Sequence, residues 1–138
     1  MDPQRRLRVS LLARSVFLVM LMWTVDKLVR PEHAAGVFAG FYGLKGLGPS
    51  AMTAFGVVEL LLLAAFLAGA AKAWSYGAVL VLHAVSPLSS YKQYLDPFDG
   101  PNLLFFAAWP MLAAALALFL LRDEDRLLSL PARGKQAG

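Results

Sequence analysis

Cysteine is absent from the 138 residues. That excludes disulfides, thiolate nucleophiles, CxxC redox chemistry and thiolate metal sites together. Charge is also scarce: Asp, Glu, Lys and Arg make up 16% of the chain, against about 25% in an ordinary soluble domain. There are only two histidines, His33 and His83. With Asp26 and Glu59 they could form a two-His-plus-carboxylate set, but no local spacing resembles a zinc or haem motif, and no metal is expected. Phosphate loops, nucleophile elbows, catalytic triads and flavin signatures are missing as well. The net charge of +4 is no nucleic-acid footprint, because the basic residues flank apolar runs instead of lining a soluble face.

Apolar side chains are plentiful: 59% of the residues are hydrophobic and the mean hydropathy is +0.60. Lipid is therefore the expected solvent, and the bilayer the first partner. Four apolar runs stand out, at about 9–29, 50–71, 73–94 and 102–121. Each is close to the roughly 20 residues that cross a hydrocarbon core as a helix. Unpaired backbone groups are not tolerated in lipid, so helices are the economical structure. The expected fold is all-α: a polytopic integral membrane four-helix bundle forming one domain over residues 1–130, with a flexible tail at 131–138. Run three is the weakest, because its second half is polar.

Between the first two runs lies PEHAAGVFAGFYGLKGLGP. Val37, Phe41 and Leu44 fall at i, i+4 and i+7, while Gly36, Gly40 and Gly43 fall on a neighbouring face. This periodicity predicts a short interfacial helix whose small face packs closely against a span. Lys and Arg set the orientation. With four spans, Arg5, Arg6, Arg8, Arg14, Lys72, Arg122, Arg126, Arg133 and Lys135 share one side, nine of the thirteen basic residues. The positive-inside rule makes that side, with both termini, cytoplasmic. Arg14 lies inside run one, where it is expected to snorkel back to the interface.

The polar residues inside the runs need explaining. Glu59 lies about nine residues into run two, roughly 13–14 Å deep at 1.5 Å per residue. A group at that depth is costly and marks either bundle-holding hydrogen bonds or ligand and proton chemistry. His83, Ser86, Ser90 and Gln93 follow one another along a single helical face, and Pro87 frees a backbone carbonyl beside them. Side chains lean toward a helix's N-terminus. Asp26 and Lys27 therefore lean into the membrane from run one, and Glu59 leans outward from run two, so the two sets converge in depth. Arg30, at i+4, is the natural partner of Asp26. Lys27 is left for Glu59 or His83. Trp23 and Trp109 supply aromatic walls, and Tyr91, Tyr94 and Phe98 form an ordinary rim belt. The opposite halves of the runs look dry except at Ser75 and Tyr76. The candidate ligand-binding set is Trp23, Asp26, Lys27, Glu59, His83, Ser86 and Trp109.

Several of these residues carry a resemblance. Arg14 early in run one, the end of that run WTVDKL (Trp23–Leu28), the connection YGLKGLGPSA and the Val58-Glu59-Leu60-Leu61 stretch resemble the DoxX-like (DoxX/DoxD) membrane family. The signposts cover roughly residues 8–70, and topology covers the rest. The resemblance implies a four-helix bundle in a bacterial inner (plasma) membrane with a polar pocket open to the outer side. It also implies association with a larger redox complex, and a quinone or other amphipathic ligand. Any enzymatic part would be that of an accessory subunit of a membrane oxidoreductase. The alternative is a non-enzymatic scaffold or assembly subunit of a larger complex or homo-oligomer.

Overall fold

A computed structural model describes residues 2–125. The tail expected at 131–138, and the basic residues Arg126, Arg133 and Lys135, lie outside the described residues. Within them the chain is helical, with no strand. The order is α1 (Pro3–Arg14), α2 (Val16–Val29), α3 (Pro31–Tyr42), α4 (Pro49–Leu67), α5 (Lys72–Ser89), α6 (Tyr91–Leu95), a 3₁₀ segment (Asn102–Ala107) and α7 (Ala108–Leu120).

Proline punctuates the order. It opens α1, α3 and α4, where its missing N–H falls among groups a helix leaves unpaired anyway. Pro31 also ends α2, because the residue before a proline is pushed out of helical geometry; Arg30 accordingly has φ −129° and ψ 62°. Pro110 offers no N–H to the Phe106 carbonyl, and the chain ahead of it is wound as the 3₁₀ segment. Helices α1 and α2 make one rod with a bend at Ser15, whose hydroxyl turns back to the Leu12 carbonyl at 2.6 Å.

Three helices are long and apolar enough to cross a membrane: Pro3–Val29, Pro49–Leu67 and Asn102–Leu120. Leu18, Val58, Leu61 and Leu120 on their outer faces stay uncovered by protein. A bilayer removes the hydrophobic cost of that surface, about 25 cal/mol per Å² in water. The third expected run departs from its predicted span of 73–94. It divides into α5 and the separate short α6, and polar residues such as Lys72, His83 and the serines keep α5 out of the crossing-capable set. The first rod begins six residues earlier than expected, and α4 ends four residues sooner.

Helix α2 packs on α4, α4 on α5, α5 on α7, and α1 on α7. The apolar core of Val16, Met20, Leu63, Phe66, Tyr76, Val79 and Leu118 lies toward the α4–α5 turn. The short helix expected between the first two runs is present as α3. It stops at Tyr42, because Gly43 turns left-handed (φ 69°) and the Leu44 N–H bonds the Phe38 carbonyl at 3.2 Å. Gly43 and Leu44 are thus outside the helix whose faces they were expected to extend. The glycine face does not pack on a neighbouring helix of the chain either: a Cβ at Gly36 or Gly40 would meet nothing within 4 Å. Helix α3 is held by its aromatic face instead, with Phe38 stacked on Phe55 (6.0 Å) and Phe41 on Phe105 (5.6 Å).

Arg14 reaches protein acceptors at the helix ends. It is buried at the α4–α5 end, where its guanidinium donates to the Asp125 carboxylate (2.6 Å), the Tyr76 hydroxyl (2.7 Å) and the Leu67 carbonyl (3.1 Å). A guanidinium stays charged, so withdrawn from water it requires acceptors on several sides. The last turn of α4 leaves carbonyls free to serve. Tyr76 also donates to Asp125 at 2.6 Å, and the Lys72 ammonium donates to the Asp125 backbone carbonyl.

Candidate functional site

The other polar cluster begins where α2 and α4 cross. Gly56 permits the crossing: a Cβ there would lie 2.7 Å from Leu28 Cδ2 and 3.4 Å from Lys27 Cβ. Glu59, three residues further along α4, then shares the Gly56 face. The Lys27 ammonium and the Glu59 carboxylate are 2.9 Å apart, with 10% and 14% of their side chains exposed. Lys27 also reaches the Trp23 carbonyl at 3.4 Å and lies 5.8 Å from the centre of the Phe38 ring.

Asp26, one residue earlier, points elsewhere. It accepts from Arg30 Nε at 2.7 Å, and its other oxygen is 2.7 Å from His33 Nδ1. This clasp ties the end of α2 to the start of α3 across Pro31. His33 is half-exposed at the surface, apart from His83. Among the described residues no three His, Asp or Glu side chains are grouped to hold a metal ion.

His83 is buried on α5, with Nε2 3.2 Å from the Ala108 carbonyl. A carbonyl only accepts, so Nε2 is the donor in this contact; in the neutral tautomer that donates there, Nδ1 is an acceptor. The Ser90 hydroxyl bonds the Ser86 carbonyl at 2.8 Å instead of the His83 carbonyl that Pro87 frees. Tyr42, at the end of α3, faces Ser86 and senses Glu59; burial first, then the Glu59 charge, pushes its phenol up from the ordinary value.

These groups line a cavity of about 520 Å³, within the range that holds small-molecule ligands. Six of the seven sequence-derived candidates line it: Trp23, Asp26, Lys27, Glu59, His83 and Ser86. Trp109 does not. It is 43% exposed and packs against Tyr94, ring centres 5.9 Å apart. It follows Ala108, which does face the cavity, so the helical turn of about 100° per residue carries it away. Gln93 is also absent from the wall, because α5 ends at Ser89 and α6 starts a new axis. Sequence reasoning missed Gly56, Phe38 and Tyr42. The available signal for Gly56 was a lone glycine one turn before Glu59.

Comparison of the chain with family models, with curated proteins and with solved structures finds no match in any of the three.

Proposed function

We propose that this chain is a small integral membrane protein of DoxX-like kind that binds a quinone or similar amphipathic ligand. In this reading α5 crosses with the other three rods as a four-helix bundle. The basic end, with both termini, faces the cytoplasm of a bacterial inner membrane, and the cavity lies toward the outer side. The observation that carries the reading is one mostly apolar cavity of about 520 Å³ lined by a buried Lys27–Glu59 pair and by His83, with Asp26, Tyr42, Ser86 and Ser90 as its other polar residues. The polar groups suit a quinone head. Lys27 donates to a carbonyl oxygen, His83 Nδ1 accepts from a hydroxyl of the reduced form, and Glu59 takes or returns the proton nearby. A bound quinone would supply the two-electron chemistry. The electrons come from a partner in a redox complex, since the sequence carries no flavin or haem signature and no cysteine for dithiol chemistry.

The test is purification in mild detergent, extraction of bound lipid-soluble molecules, and titration with a quinone while following Trp23 fluorescence. A co-purifying quinone and saturable quenching that Lys27→Met abolishes are expected. Failure to find either would overturn the reading. The open space before Gly36 and Gly40 favours a second reading, a scaffold subunit whose α3 receives a helix of a larger complex. On a native gel that subunit migrates with its complex; migration at its own mass refutes it.

A further inference from the structure

We infer that the cavity is loaded sideways from the bilayer, through the seam between α2 and the start of α7, by a chain-bearing lipid with an uncharged head. The inference rests on the cavity's being a ligand site and adds the route and the class of ligand.

The route follows from what closes the other directions. Helix α3 lies across the outer end, touching α2, α4 and α5. Its Phe41–Phe105 and Phe38–Phe55 stacks cover the cavity from that side, and the Asp26–His33 bond pins its first turn. The opposite end is filled by the apolar core and the Arg14 cluster beyond it. Around the circumference, α2 packs on α4, α4 on α5 and α5 on α7, but α2 barely meets α7. After the bend at Ser15, α1 packs on α7, near Ala117 and Leu121, so the seam is shut there.

Its lips are Val19 and Trp23 on α2 and Leu104 and Ala107 on the 3₁₀ segment. All four line the cavity and all four are exposed, Leu104 at 75%. Both lips belong to crossing-length apolar helices, where the surrounding medium is hydrocarbon. A lipid chain can stay in the seam while its head reaches Lys27. The head is uncharged because Lys27 is already matched by Glu59 at 2.9 Å; a charged head would leave a net charge in a low dielectric.

The experiment uses the full chain in nanodiscs, with stopped-flow quenching of Trp23 by a decyl-substituted benzoquinone. Val19→Phe with Ala107→Phe places a ring on each lip at exposed positions, and unfolding curves check that the fold is kept. Entry and exit are expected to slow together, about tenfold, the signature of an obstructed path in place of a damaged site, which would show mainly in the exit rate. Lys27→Met should abolish quenching. Unchanged rates in the lip variant, with quenching still lost in Lys27→Met, would overturn the sideways route and leave the ligand site standing. No quenching of the wild-type chain would overturn both. Competition by decanoate as strong as that by decanol would overturn the uncharged head.

Discussion

The two polar clusters use the same kinds of group, a cation, a carboxylate and a tyrosine, and arrive at opposite outcomes. At the basic end, Arg14 and Asp125 have only 3% and 2% of their side chains exposed. Their neighbours are protein, and the nearest void is about 30 Å³. At the other end, Lys27 and Glu59 pair at a similar distance but form one wall of a cavity of about 520 Å³. A buried ion pair with every side occupied holds helices in register. One with a side left open can present its remaining hydrogen bonds to a ligand. The space left beside the pair makes the difference, not residue type.

The comparison breaks first under single truncations. Arg14→Ala leaves Asp125 without its arginine, keeping the Tyr76 hydrogen bond, and should cost about 3–5 kcal/mol, read from unfolding curves in detergent; a loss below about 1 kcal/mol would mean that the cluster is wet. Next come charge-free pairs. Arg14→Met with Asp125→Leu should recover most of that stability and leave quinone quenching intact, because apolar groups of similar size can replace a closed pair. Lys27→Met with Glu59→Leu should also keep the fold yet lower ligand affinity more than tenfold, the cost of losing a charged hydrogen bond being about 1.5–3 kcal/mol. Equal behaviour of the two pairs would erase the distinction between them. Gly56→Val should cost about 1–3 kcal/mol by overpacking and weaken binding further by lifting Glu59 from Lys27; normal affinity in that variant would show that the crossing does not set the pair.

The smallest effect is in pH. Burial would raise the Asp125 carboxyl, but hydrogen bonds from Tyr76 and Arg14 outweigh it and hold it below its ordinary value. A carboxyl depressed in the folded state stabilises the fold above its unfolded value, near 3.8, and loses that contribution as pH falls through the folded value. Unfolding midpoints should therefore drop below that point, and Asp125→Asn should flatten this part of the profile.

Much of the open cluster is legible in the sequence. Helix direction and depth aimed Lys27 at Glu59 or His83, and i+4 spacing assigned Arg30 to Asp26; the Lys27–Glu59 and Asp26–Arg30 pairs are present. The closed cluster was not legible. Arg14 and Asp125 are 111 residues apart, and Asp125 lies beyond the last apolar run, in a stretch that reads as polar tail. The faces of α3 were misjudged because spacing shows which residues share a face but not which face finds a partner. Aromatic rings can reach across a gap that glycines leave open.

The amino-acid order by itself determined the helices, their apolar outer faces and the polar residues within them, because hydropathy and helical period are local properties. Only the tertiary structure decided which charges meet and whether anything is left between them. That depends on how closely two rods approach, as at Gly56, and on where a proline ends a helix, as at Pro31. A difference of a few ångströms between helices separates a filled polar contact from a cavity large enough to hold a ligand.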